Sequence, residues 1–155
     1  MGSPPDLPPD QLLYRQLTPT SWDQKKNRLN SNVFRRRPNE QGVSVYRADL
    51  QTPHGVLQAC IDAQHRKLTS GDPAQVAAAE NFFRLYGTTV ESLVEAGWRI
   101  ARVPVAAFTE RSFTLEEPDT TGHLNVFGSV EEFARYTNEL SKCAELLTAD
   151  QCLEK

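Results

Sequence analysis

The chain is organised around SNVFRRRPNEQGVSVY, the sixteen residues at positions 31–46. This stretch holds an apolar residue, Phe34, followed by three adjacent arginines and a segment rich in Pro, Asn and Gly, which are turn residues. In its last part, residues 43–46, valine alternates with Ser and Tyr, and this is the pattern of a half-buried strand. The stretch therefore predicts a core contact, a turn and a strand, with anion-binding charge between them.

Size and composition are those of one ordinary domain. The chain has 155 residues, 39% hydrophobic and 24% charged, which is long enough and apolar enough to bury a core. No apolar run approaches the roughly 20 residues that a membrane-spanning helix needs. The three cysteines, Cys60, Cys143 and Cys152, have no paired spacing, so reduced thiols are expected. These features predict a soluble, cytoplasmic protein.

Charge is distributed unevenly along the chain. The net charge is −3, but residues 1–50 carry eight Lys and Arg against five Asp and Glu, whereas residues 51–155 carry nine against fifteen. This asymmetry argues against nucleic acid as a ligand, since proteins that bind nucleic acid are usually basic over one whole face. The basic patch of residues 25–37 has two interpretations. It contacts phosphates or an acidic partner, or, as surface charges more often do, it pairs with the acidic remainder of the chain.

Local signals predict several strands and helices. Residues 12–17, 43–46, 98–108, 113–115 and 123–127 have strand patterns, and residues 21–24 are typical of a single helical turn capped by Ser21. Helices are predicted after the caps Thr52 and Asp72, after a capping box that begins at Thr88, and after Ser129. The final helix carries an apolar stripe formed by Phe133, Tyr136, Leu140, Cys143 and Leu147.

The order of these elements predicts an α+β domain. We expect a single compact domain over residues 11–150, with a small mixed or antiparallel sheet, several helices and a C-terminal amphipathic helix. Residues 1–10 hold four prolines and are expected to form a disordered tail, and residues 151–155 a short C-terminal tail.

Standard catalytic signatures are absent from the sequence. It contains no Walker A motif, dinucleotide GxGxxG, HExxH, GxSxG or paired CxxC. Its three histidines and three cysteines lack ligand spacing, and we predict no metal site. Whether the protein is an enzyme stays open at this point.

A few polar residues lie where they could reach a ligand. Arg15 shares a predicted strand face with Leu13, so its guanidinium either enters a cleft or faces solvent. His123 begins a predicted strand and is either a proton shuttle or a cap for backbone groups. Adjacent Glu116 and Glu117 point to opposite strand faces, so at most one of them belongs to a given site.

Three segments resemble those of a group of small uncharacterised bacterial proteins. In that group a Tyr/Trp-Arg-Arg strand is followed by a Ser-Ser-x-x-Phe and Leu-Ser-Val segment, and later by a His-x-x-Val-x-Gly strand before a final helix. The matching residues here are Tyr14-Arg15, Ser31 with Phe34, residues 43–45 and residues 123–128. Gln16 and Asn32 depart from the pattern. The resemblance covers about a third of the chain and implies a fold rather than an activity.

A second, shorter resemblance is to ADP-ribosyltransferase-like and RES-type toxin domains, which also open on a strand with an aromatic-Arg pair. In those domains the arginine faces NAD, and a serine on another strand and a later acidic or polar residue complete the site. The resemblance implies these roles for Arg15, for Ser44, and for Glu116 or Glu117.

The resulting hypothesis is an NAD- or nucleotide-handling domain of the toxin or effector type, for which NAD is the candidate cofactor. The predicted catalytic residues are His123, Arg15 and Ser44, and the predicted ligand-binding residues are Arg15, Ser31, Arg35, Arg36 and Arg37. The alternative is a non-enzymatic protein–protein interaction module, the partner of a neighbouring gene product, which docks through its oppositely charged halves.

Overall fold

The computed structural model describes residues 6–36, 38, 40 and 42–155. Within them the strands are β1 (Leu12–Leu17), β2 (Trp22–Asp23), β3 (Arg28–Leu29), β4 (Gly42–Arg47), β5 (Arg99–Pro104), β6 (Thr114–Glu116), β7 (His123–Phe127) and β8 (Glu145–Leu146). The helices are α1 (Pro53–Leu68), α2 (Pro73–Tyr86), α3 (Val90–Glu95), α4 (Val105–Thr109), α5 (Val130–Cys143) and α6 (Ala149–Cys152).

Six of these strands form one sheet in the order β6-β7-β4-β1-β5-β8, and every described pairing in it is antiparallel. The remaining two, β2 and β3, form a separate hairpin. The predicted α+β class and single compact domain are confirmed, and the sheet is antiparallel rather than mixed.

One face of the sheet is buried under α4, α5 and the 33–34 loop. Alternation along β1 and β4 directs Leu13, Leu17, Val43 and Val45 to this face. Phe34, whose side chain is fully buried, packs edge-on against Phe108 of α4, with ring centroids 5.6 Å apart. The core contact predicted from the 31–46 stretch is thus present.

The opposite face is covered over only part of its width. Buried residues of α1 and α3 pack against Ile100 of β5 and Trp98, in a cluster that Leu147 and Cys152 complete. On β4 and β7 this face carries half-buried side chains: Tyr46 packs against the same cluster and His123 against Tyr46, whereas Ser44, Asn125 and Phe127 lie beyond it. This uncovered half of the sheet positions the candidate site.

Local capping signals account for the helix starts. The Thr52 hydroxyl accepts a hydrogen bond from the Gly55 amide at 3.0 Å, and Ser129 and Glu132 form the predicted reciprocal capping box. The final helix is confirmed, although it ends at Cys143, which is exposed, and Leu147 lies beyond it. The capping box predicted from Thr88 is shifted by one residue, because Thr89 is the cap and Ser92 its partner.

Two predicted elements are wrong. Residues 21–24 do not form a helical turn, since Trp22 pairs with Leu29 in a hairpin and its indole Nε1 donates to Gly97 O at 2.8 Å. The strand predicted over 98–108 ends at Pro104, where the chain turns into α4. The Val105 amide still donates to Gln11 O at 2.9 Å, in register with the β1–β5 ladder, and the ladder pairing goes no further because α4 begins at this residue.

Both predicted tails make contacts where the structure describes them. Leu7 packs against the core, and Pro9 O accepts a hydrogen bond from the Ala106 amide at 2.9 Å. At the other end Cys152 is fully buried, and Glu154 O accepts a hydrogen bond from the His54 amide at 3.0 Å.

Among the described helices, none combines the length and the apolar character needed to cross a membrane.

Candidate functional site

Strands β1 and β4 separate after two described pairs, Leu13 with Arg47 and Tyr14 with Tyr46. Past this point the Arg15 side chain bridges them. Its Nη1 donates to Ser44 O at 2.8 Å, and its Nε donates to Val33 O at 3.2 Å. The guanidinium therefore takes the place of ladder hydrogen bonds and holds β1, β4 and the 33–34 loop around an opening.

This opening is a cleft of about 740 Å³, called here the strand-split cleft. Its cations are Arg15 and Arg35, which face one carboxylate, Glu40, so the described lining carries one excess positive charge. Arg35 is exposed, and its guanidinium has no hydrogen-bond partner among the residues that the structure describes. The cleft is thus suited to an anion.

Hydroxyl and amide groups supply hydrogen bonds around the same cleft. Thr18 Oγ1 lies 3.1 Å from Thr20 Oγ1 and 2.9 Å from Ser21 Oγ, forming a hydroxyl cluster at one rim. Ser44 on β4 and Asn125 on β7 are directly paired and therefore present their side chains side by side on the opposite wall. Such groups can recognise several hydroxyls of a bound sugar.

An apolar surface completes the cleft. The half-buried Phe127 ring lines it beside Gly42, its partner across the β4–β7 ladder. A Cβ at position 42 would collide with Val126 O and come within 3.4 Å of the Phe127 ring. Glycine at this position therefore keeps the strands close together and leaves the ring accessible from the cleft.

A row of polar residues crosses the sheet next to the cleft. Ser44 pairs with Asn125, and Asn125 pairs with Glu116 on β6, so the three side chains share one face on successive strands. Adjacent strands lie about 4.8 Å apart, which places Ser44 and Glu116 roughly 10 Å from each other at the backbone. Glu117 instead accepts a 2.9 Å hydrogen bond from Arg47 Nη1 in an ion pair.

His123 lies in a neighbouring cleft of about 750 Å³ between α1 and the sheet, called here the helix-side cleft. Its ring packs against Tyr46 with centroids 5.2 Å apart. Burial lowers the pKa of His123, and burial likewise raises the pKa of Tyr46. Burial also raises the pKa of the Cys60 thiol in this cleft to about 11, so that thiol is protonated at neutral pH.

The structure therefore brings together three of the predicted site residues, Arg15, Ser44 and Arg35, and places His123 in the adjoining cleft. Gln16 lines both clefts and anchors its amide by donating to Val56 O at 2.7 Å. No group of three or more His, Cys, Asp or Glu side chains suited to a metal ion occurs in the described part of the chain.

The other predicted ligand-binding residues lie elsewhere. Ser31 lines a third groove beside α5, and its carbonyl oxygen accepts a hydrogen bond from Thr137 Oγ1. Arg36 does not line the strand-split cleft, and its buried Nε has no hydrogen-bond partner among the described residues. Arg37 lies outside the described residues.

Comparison with protein-family models, with curated proteins and with solved structures finds no match to this chain.

Several residues of the strand-split cleft were missed in the sequence. Asn125 and Phe127 alternate with buried residues in β7 and share a face with His123, so their direction was available from the strand pattern. Thr18, Thr20 and Ser21 carried no such signal, because only the separation of β1 from β4 brings their loop to the cleft.

Proposed function

We propose that this protein binds a nucleotide of the NAD and ADP-ribose class in the strand-split cleft. The observation that carries the proposal is the meeting of Arg15, Arg35 and Ser44 in one polar cleft where two strands separate. It is supported by the row of Ser44, Asn125 and Glu116, since the resemblance to ADP-ribosyltransferase-like domains implies an arginine, a serine and an acidic residue at one site.

Each part of such a ligand has a chemical counterpart in the cleft. Arg15 supplies fixed positive charge, because its carbonyl hydrogen bonds hold it in place, and exposed Arg35 contacts the diphosphate directly. Ser44, Asn125 and the hydroxyl cluster face the ribose hydroxyls. The ring of Phe127 offers a surface on which a base can stack.

An enzyme of the toxin type would use the row formed by Ser44, Asn125 and Glu116 to cleave NAD. Water would add to C1′ of the nicotinamide ribose as the C1′–N bond breaks. The bonding electron pair would leave with the ring nitrogen, and a proton would pass to solvent, giving nicotinamide and ADP-ribose. Glu116 would stabilise the positive charge that develops on the ribose, as a carboxylate does in glycoside cleavage.

Isothermal titration calorimetry with NAD, ADP-ribose and inorganic pyrophosphate tests the binding. We expect Arg35→Gln to weaken the binding of NAD and ADP-ribose by about 10- to 150-fold, because a hydrogen bond to a charged group is worth roughly 1.5–3 kcal/mol. Arg84→Gln, an exposed arginine on α2, is the matched control and should leave affinity unchanged. Absence of binding at millimolar ligand would refute the proposal, as would equal losses in the two variants.

A further inference from the structure

The groove beside α5 that includes Ser31 is bordered by two strand edges. It has a volume of about 780 Å³ and is called here the edge groove. Leu29 of β3 and Leu146 of β8 both line it. Strand β8 is the last strand of the six-stranded sheet, and β3 pairs with β2 alone among the described strands. In the part of the chain that the structure describes, each of these two strands therefore has one edge without a partner strand.

Leu146 directs its backbone polar groups out of the sheet at this edge. In the β5–β8 pairing it lies opposite Ala101, and the next residue, Leu147, donates its amide to Ile100 O at 2.9 Å. Because hydrogen-bonded and non-hydrogen-bonded pairs alternate along an antiparallel ladder, Leu146 and Ala101 form a non-hydrogen-bonded pair. The N–H and C=O of Leu146 therefore point away from β5.

Leu29 has the same orientation in β3. It pairs with Trp22, and the Asn30 amide donates to Ser21 O at 3.0 Å, so the N–H and C=O of Leu29 point away from β2. Each of the two edges thus offers a donor and an acceptor beside the same groove. An extended chain is the partner that satisfies backbone groups of this kind.

Hydrogen bonds to α5 fix the β3 side of the edge groove. Thr137 Oγ1 donates to Ser31 O, and Ser141 Oγ donates to Asn30 O at 3.4 Å. The end of the β2–β3 hairpin is thus held in place before a partner binds, and this lowers the entropy cost of binding.

The lining of the edge groove suits a segment that is both apolar and acidic. Its apolar residues are half-buried and pack against the core, namely Leu29, Ala144 and Leu146. Its two cations, Arg28 and Lys142, are exposed, and the described lining holds one carboxylate, Asp23. Asp23 Oδ1 already accepts hydrogen bonds from two backbone amides at 3.0 Å. Carboxylates of a partner are therefore attracted to the two cations.

We propose that the edge groove binds an extended, acidic segment of a partner protein, which adds as a strand along β8 and reaches the free edge of β3. Backbone hydrogen bonds to Leu146 and Leu29 supply affinity, and the attraction of its carboxylates to Arg28 and Lys142 supplies selectivity. Among the described residues, none lines both the edge groove and the strand-split cleft, so the two sites are separate.

Fluorescence anisotropy with a labelled peptide of alternating Glu and Val tests the proposal, and a peptide of alternating Lys and Val is the charge control. We expect the acidic peptide to bind at least about tenfold more tightly than the basic one. The acidic peptide N-methylated at every valine lacks the donors along one edge and should bind about tenfold more weakly than its parent. Absence of binding at millimolar acidic peptide would overturn the proposal, as would equal binding of the N-methylated form.

Variants at Leu146 separate strand pairing from side-chain packing. Leu146→Pro removes the outward N–H, and proline is tolerated at a sheet edge where that group makes no ladder bond. Leu146→Ala loses the same apolar contact but keeps the amide, so it is the matched control. Leu146→Pro should weaken the acidic peptide clearly more than Leu146→Ala does. Equal losses in the two variants would overturn strand addition at β8.

Charge reversal tests the acidic character of the partner. Arg28→Glu with Lys142→Glu should weaken the acidic peptide about tenfold or more. Arg84→Glu with Lys155→Glu changes the net charge equally at exposed positions outside the groove and should leave the affinity nearly unchanged. Equal losses in the two double variants would overturn the proposal. Light scattering that shows a dimer which Leu146→Pro dissociates would assign the groove to a second copy of this chain and would also overturn it.

Discussion

The Arg15 guanidinium donates a 2.8 Å hydrogen bond from Nη1 to the carbonyl oxygen of Ser44, across the point where β1 and β4 separate. The same side chain reaches Val33 O through Nε. A residue that we propose to bind the ligand is thus also a structural bridge, and the two contributions can be separated by measuring stability without ligand.

Arg15→Ala should lower the free energy of unfolding of the ligand-free protein by about 2–3 kcal/mol, because two partly buried carbonyls lose their donor. Arg15→Lys keeps the charge but not the two-pronged geometry, so it should recover only part of the loss. Urea denaturation measures both variants. Arg135→Ala, on the exposed side of α5, should change stability by less than about 0.5 kcal/mol; an equal loss there would contradict the bridge.

Phe34 and Phe127 make a matched pair of tests for core and cleft. Phe34→Ala should cost about 3–5 kcal/mol of stability, since its ring is fully buried and packs against Phe108. Phe127 is half-exposed in the strand-split cleft, so Phe127→Ala should cost clearly less in urea denaturation but weaken NAD in calorimetry. Unchanged NAD affinity in Phe127→Ala would remove the ring from the binding site.

The parts of the fold that depend on neighbouring residues were predictable from the sequence. Helix starts at Thr52, Asp72 and Ser129 follow from side chains that bond backbone amides within three residues. The β4 and β7 strands follow from alternation, and β1 follows from a short apolar stretch that ends before Pro19. By contrast, the β2–β3 hairpin depends on the Trp22 indole reaching Gly97 O, 75 residues away, and no local pattern encodes that contact.

The candidate site was predictable only in part, for the same reason. Arg15 and Ser44 stand out as polar residues within apolar strands, and the resemblances also single them out. The two residues lie 29 positions apart in the chain, so their meeting depends on which strands pair and on where that pairing stops. His123 was expected to join them. The β4–β7 register instead pairs it with Tyr46, two residues along the strand from Ser44, and so His123 lies in the helix-side cleft.

Protonation of His123 should make stability depend on pH. Burial lowers its pKa below the ordinary 6.5, so the unfolded chain binds the proton more readily than the folded protein. The stability present above pH 6.5 should therefore fall as the pH drops through 6.5 toward the lower folded pKa. Urea denaturation at pH 7.5 and 5.5 measures this loss, and His123→Gln should reduce it.

That interval avoids most of the carboxyl titration. Asp49, Asp119 and Glu132 have pKa values lowered by hydrogen bonds from Arg47, Thr121 and Ser129 respectively, so their stabilisation is lost only in more acidic solution. An identical pH dependence in His123→Gln and wild type would show that another group is responsible.

Adjacent glutamates provide the sharpest test of the proposed chemistry. Glu116 lies in the row with Asn125 and Ser44, whereas Glu117 points to the other side and pairs with Arg47 at 2.9 Å. Glu116→Gln should therefore abolish release of nicotinamide from NAD, measured by chromatography, while calorimetry still detects NAD binding. Glu117→Gln should leave the release intact and lower stability by about 1 kcal/mol, because it breaks a partly buried ion pair. Loss of release in Glu117→Gln with full activity in Glu116→Gln would reverse the assignment. If the wild type binds NAD but releases no nicotinamide, the protein would be an NAD-binding domain and not an enzyme that cleaves NAD.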